Sequence, residues 1–141
     1  GLAIFIASYL ANETDLPNIN LLHLTSRKAV LAALQMAAVF PHINFRREVT
    51  IGHLMLDTES KAASLAKVNP PIRPREDVEY LWEQLVAGNL DWVCSDHACC
   101  KHEMKVDQKK PGNIWLAKSG FGGTEYLLAA PDSEGRKSGL T

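Results

Sequence analysis

Net charge is almost absent: Lys+Arg 15 against Asp+Glu 16 leave a formal charge of -1 over 141 residues. A chain so balanced has no electrostatic reason to seek nucleic acid or an anionic membrane surface. Cysteine is scarce. Three thiols, of which Cys99 and Cys100 are adjacent, suit a reducing compartment and exclude a disulfide-stapled scaffold. Long apolar runs are missing too. The two longest, over residues 1–10 and 29–40, are too short or too interrupted to span a bilayer. No basic segment precedes the first run, and Asn12, Glu13 and Asp15 follow it where a signal peptide needs small residues. Repeats and low-complexity tracts do not occur. Together these absences predict a cytoplasmic protein.

What is present is ordinary globular composition, 46% hydrophobic and 22% charged, with Gly 9 and Pro 7. That is neither collagen-like nor disordered. The length allows one domain with a real core. The chain opens without Met on an apolar run and closes at Thr141 without a terminating element, which suggests a piece of something larger.

Apolar spacing predicts a helix over Gly1 to Asn12, broken by Asp15, Pro17 and Asn18. Ile19 to Leu24 reads as a short strand buried on both faces. Thr25 or Ser26 then caps a helix from Arg27 to about Phe40, which Pro41 stops. Ile43 to Thr50 has strand character despite Arg46 and Arg47, which are expected to be solvated or paired. Ile51 to Lys67 is a long connection with some helix around Ser60 to Ala66. VNPPIRP, residues 68–74, is an extended loop. Glu76 to Ala87 is a strong helix, acidic at its start and ended by Gly88. Leu90 to Ser95 is another buried strand, and Asp96 to Gly123 a long loop of the kind that usually serves function. A helix begins over Gly123 to Ala130, and Pro131 to Thr141 has turn-like composition. Alternating helices and strands favour α/β architecture with a parallel sheet, doubly wound or a (β/α) barrel.

In either architecture reactive groups sit just past the carboxyl ends of strands. Three places qualify: His23, the Arg46 to His53 region, and Asp96 with His97. A carboxylate at a buried strand end needs a metal, a cation or hydrogen-bond donors to offset lost solvation. A His on a neighbouring strand could share that metal as neutral imidazole. Blander readings stand beside these. A lone strand His is more often a hydrogen-bonded core residue, and Asp96 could cap the following turn. The stretch Asp96, His97, Cys99, Cys100, His102 also has zinc-cluster composition, although its spacing matches no structural zinc pattern.

Four segments in order resemble the cyclic amidohydrolases: dihydroorotases, allantoinases and dihydropyrimidinases (hydantoinases). LLHLTSRKAV resembles their His-Val-Ser-Ser strand end, and EVTIGHLMLD their Glu-Val-Thr-Pro-His-His-Leu. The stretch VNPPIRPREDVEYLWEQLVAGNLDWVCSDHA resembles their Asn-Pro-Pro-Leu-Arg loop, helix and Ser/Thr-Asp-His-Ala strand end. GFGGTEYLL resembles their Gly-Phe-Pro-Gly-Leu-Glu-Thr turn. The resemblance implies a (β/α)8 TIM barrel with one or two divalent metals, usually zinc. It implies that residues 1–141 are the C-terminal portion of the barrel, roughly its sixth to eighth strands.

The same resemblance implies roles. His23 and Asp96 become metal ligands, and Asp96 also the general base on a metal-bound hydroxide that attacks the ring amide. Asn69 hydrogen-bonds a small cyclic amide or ureide substrate, near the turn of Gly122 and Gly123. Departures matter: Ile51 and Gly52 replace Pro-His, leaving His53 without an assigned role. Cys100 stands where dihydroorotases carry a substrate-binding His. Cysteine there, in an Asp-His-x-x-Cys-x-x-x-x-Lys setting, is similar to allantoinases. The family's first-strand His-x-His pair, carbamylated lysine and fifth-strand His have no counterpart here. The isolated chain is therefore expected to be inactive, while its parent would be active as a homo-oligomer. The alternative is a non-catalytic homologue that serves as a scaffold or assembly partner.

Overall fold

A computed structural model describes residues 1–139. Leu140 and Thr141, the end of the expected turn-like tail, lie outside the described residues. In chain order the elements are α1 (Leu2–Glu13), β1 (Asn18–Leu21), α2 (Arg27–Val39), β2 (Asn44–Thr50) and α3 (Ile51–Met55). After these come α4 (Arg75–Val86), β3 (Trp92–Cys94), α5 (His102–Lys105) and α6 (Ala129–Ser138). Short 3₁₀ turns occupy Ala63–Ala66 and Thr124–Tyr126. The strands pair in parallel in the order β1-β2-β3, each crossover carrying a helix.

Register positions the site. Leu21 at the end of β1 pairs with Arg47, whereas Cys94 at the end of β3 pairs with Thr50. β2 therefore pairs with β1 through its first half and with β3 through its second. Arg47 helps to hold the second pairing. Its backbone N–H donates to Asp91 Oδ2 at 2.6 Å and its Nε to the same oxygen at 2.9 Å. Arg46 is exposed. Both arginines fall within the paired-or-solvated expectation.

One face of the sheet is apolar. Leu21, Phe45 and Val49 pack with Val30, Ala33 and Met36 of α2 and Leu81 of α4. The other face, by strand alternation, carries Asn20, Leu22, Arg46, Glu48 and Thr50. The expectation that the first strand is buried on both faces fails here: Leu22 is 52% exposed. Only the helix-covered face of β1 is covered among the described residues.

Local signals explain the helix boundaries. Ser26, rather than Thr25, caps α2 by accepting from the Ala29 N–H at 3.3 Å. Thr25 is buried, and its Oγ1 accepts from Arg73 Nε at 3.3 Å. Glu76 and Asp77 open α4, and Gly88 leaves it with φ +74, a conformation suited to glycine. Trp82 Nε1 donates to the Leu54 carbonyl at 2.9 Å, seating α3 against α4.

The C-terminal expectation is corrected. Over residues 123–130 there is only the 3₁₀ turn and the start of α6, and the expected turn region is helical from Pro131 to Ser138. Pro131 falls in the first turn of α6, where a missing N–H costs no intrahelical bond. No helix among the described residues is long and apolar enough to cross a membrane.

Leu81 is fully buried where α4 meets the sheet. Leu81→Ala should cost about 2–5 kcal/mol, measured as a lower midpoint in urea unfolding with unchanged slope.

Candidate active site at the strand ends

Because the strands are parallel, their carboxyl ends share one side of the sheet. His23 lies two residues beyond β1 and Asp96 two residues beyond β3, with the end of β2 between them. Both residues have positive φ, +42 at His23 and +45 at Asp96. Left-handed backbone at a non-glycine residue costs free energy and clusters at functional sites. His23 is half-buried and Asp96 exposed.

Glu48 fixes this arrangement, and the sequence reading gave it no role. It is 9% exposed, on the sheet face opposite the apolar core. Its Oε1 accepts from the His23 backbone N–H at 3.0 Å, and its Oε2 from Trp92 Nε1 at 2.9 Å. The Leu24 N–H donates to the Glu48 carbonyl at 2.8 Å. One carboxylate thus joins the exit of β1 to β3. Burial pushes the Cys94 thiol up to about 11, with the hydrogen bond to Glu48 and its charge adding. Cys94 therefore stays protonated near neutral pH. The sequence signal for Glu48 was weak, because it is one of three charged residues in β2, NFRREVT.

His53 finds its partners here. It is buried, with Nδ1 2.6 Å from Thr50 Oγ1 and Nε2 2.9 Å from the Pro70 carbonyl. A carbonyl only accepts, so Nε2 carries the proton and Nδ1 accepts from the Thr50 hydroxyl. Both nitrogens are engaged, and His53 pins the Asn69–Pro70 loop to the end of β2. Burial lowers its pKa. The charges of His23 and Arg73 lower it further, while Asp96 and the Pro70 contact raise it.

The loop elements meet the same face. Asn69 is exposed on its loop, and Cys100 is half-buried with Sγ 3.8 Å from the Gly120 carbonyl. His97 Nδ1 accepts from the Gly123 and Thr124 N–H groups at 3.3 and 3.4 Å, capping the turn that holds Gly122 and Gly123. A Cβ on Gly123 would meet Ser95 O and Ile51 Cγ2 at 3.3 Å, so the turn lies directly on the exit of β3. Gly120 has φ +89, and its Cβ would stand 2.6 Å from that of Ala98. Among the described residues no three His, Cys, Asp or Glu side chains gather as a metal site. The zinc-cluster reading of residues 96–102 therefore lacks its geometry, and His23 and Asp96 are at most part of a ligand set.

The depressed His53 pKa has a consequence for pH. A neutral ring favoured in the fold contributes stability that is full above the unfolded value near 6.5 and is lost as pH falls through the lower folded value. Nitrogen chemical shifts should report the neutral Nε2–H tautomer below pH 6.5. A ring that protonates at or above 6.5 contradicts the assignment.

No family model matches the chain. The allantoinase of Rubrobacter xylanophilus is 37% identical over 136 residues, 94% of this chain and 28% of that protein. The solved L-hydantoinase (dihydropyrimidinase) of Arthrobacter aurescens is similar at TM-score 0.83 and 28% identity, over 97% of this chain and 30% of that one. The dihydroorotase of Saccharomyces cerevisiae, at 16% identity and TM-score 0.74, shares the fold over 96% of this chain and 38% of its own. These structural neighbours are TIM-barrel enzymes, and the chain spans well under half the length of each relative. The ordered motifs, the parallel strands and these likenesses agree: the chain belongs to the cyclic amidohydrolase family.

Proposed function

We propose that this chain forms roughly the sixth to eighth strands of a (β/α)8 barrel, and that the complete barrel hydrolyses a ring C–N bond in a small cyclic amide or ureide. The observation that carries the reading is the placement of His23 and Asp96, both at positive φ, just past the ends of β1 and β3 on either side of β2. His23 offers an imidazole and Asp96 a carboxylate, donor types that suit zinc, so both fit as ligands. Further ligands would come from strands outside this chain. When bound, a divalent cation polarises the ring carbonyl and makes water a nucleophile near neutral pH.

The chain's own residues divide the remaining work. Asp96 takes the proton from the attacking water and returns it to the leaving ring nitrogen, the general acid–base role. Asn69 hydrogen-bonds the cyclic amide from the loop that His53 pins. Gly122 and Gly123 let backbone approach the ring. Cys100 offers a thiol where dihydroorotases place a His for a substrate carboxylate. An uncharged ureide ring therefore suits this site better than dihydroorotate, and the 37% identity to an allantoinase supports the same preference.

The scaffold alternative has one observation in its favour. Gly52 stands where the family motif has His, and Phe121 fills the space, within 2.6 Å of where a Cβ would lie. Zinc content and turnover separate the two readings. The complete protein should bind zinc and hydrolyse allantoin in preference to hydantoin or dihydroorotate. Asp96→Asn should lower kcat by about 10²–10⁴-fold. Residues 1–141 alone should turn over none of the three with zinc supplied. A complete protein that is folded, metal-free and inactive on all three supports the scaffold.

A further inference from the structure

Lys105 is the most unusual side chain outside the strand-end cluster. Lysine is almost never fully buried without a partner, yet this residue is 4% exposed. Nζ uses all three donors on backbone carbonyls: Lys67 at 2.8 Å, Lys118 at 2.8 Å and Gly120 at 2.7 Å. The Phe121 ring adds its face, with Nζ 5.8 Å from the centroid. No carboxylate pairs with it among the described residues. Three carbonyl dipoles and an aromatic face hold the cation instead.

The partners are not scattered. Lys67 precedes Asn69 by two residues, and Gly120 precedes Gly122 by two. The Gly120 N–H also donates to the Lys67 carbonyl at 3.0 Å, and Lys67 Nζ to the Ala117 carbonyl at 2.6 Å. The two segments that present Asn69 and the Gly122–Gly123 turn are thus drawn together around one ammonium group. Burial pulls the Lys105 pKa below the ordinary lysine value.

We propose that Lys105 is a positioning residue. By gathering the Lys67, Lys118 and Gly120 carbonyls it sets the spacing between the Asn69 loop and the Gly122–Gly123 turn, and so the fit of the substrate ring. The inference rests on the reading that these two elements hold a cyclic ureide. Lys105 itself touches neither substrate nor the reacting atoms.

The test uses the complete protein that contains this segment. Lys105→Met should raise KM for the hydrolysed ureide about tenfold while kcat stays within about threefold. Zinc content should not change, and Lys105→Arg should recover part of the KM. A folded Lys105→Met protein with wild-type KM overturns the proposal, as does a loss confined to kcat or accompanied by loss of zinc. If the methionine variant does not fold, the wild type decides by native acetylation with acetic anhydride and mass spectrometry. Saturating allantoin should slow modification of Lys105 and leave the exposed Lys101, Lys109 and Lys110 unaffected. Absence of that protection overturns the proposal. A wild type that neither binds nor hydrolyses any of the three rings defeats the functional reading and this inference with it. A wild type that does, with Lys105→Met indistinguishable from it, defeats this inference alone.

Discussion

A carboxylate placed inside a sheet is costly unless donors surround it, and the Glu48 side chain meets that condition from both directions. The His23 backbone N–H approaches from the exit of β1 and the Trp92 indole from β3. Glu48 also helps to hold the Cys94 thiol pKa up. Removing any one donor would leave a buried charge less satisfied, so the three strands cannot slide independently. The strained backbone at His23 is held by this contact together with the Leu24 N–H on the Glu48 carbonyl. The chemistry assigned to His23 and Asp96 depends on a residue that need not touch the substrate.

The loops follow the same logic with different atoms. Segment 96–123 has little regular structure, and its order comes from side chains that satisfy backbone groups. His97 caps the glycine turn, Lys105 collects three carbonyls, and Gly120 permits the close approach of Ala98. On the facing side, His53 binds the Pro70 carbonyl and Arg73 reaches Thr25. Several polar residues that look chemically active are therefore structural, their hydrogen-bonding atoms already committed. Asp96 is exposed and His23 half-buried, and these are the two groups to which the proposed reaction gives chemistry.

The start of α2 at Thr25 or Ser26, the acidic start and glycine exit of α4, the proline-rich loop and the alternation of strands with helices were legible in the sequence, because each depends on a few neighbouring residues. The inner face of β1 was not: apolar letters at Leu21 and Leu22 look alike, and only packing shows that one is buried and the other exposed. The helix through Pro131 was missed because a proline in a first turn looks the same as one in a loop. The family resemblance singled out His23 and Asp96, and the parallel topology puts both beyond strand ends on one side of the sheet. Their metal and proton roles remain the proposal made above. No spacing rule could assign Glu48 or His53.

Sequence by itself determined the boundaries of α1, α2 and α4, the α/β alternation and the motif residues, since caps, periodicity and glycine or proline punctuation act over one or two turns. Tertiary structure decided which of those residues are free for chemistry. The contacts that decide it join the His23 backbone to Glu48 across 25 positions, Glu48 to Trp92 across 44 and Lys67 to Lys105 across 38. A buried hydrogen bond is satisfied by whichever partner the fold brings near, and separation along the chain carries no record of that choice.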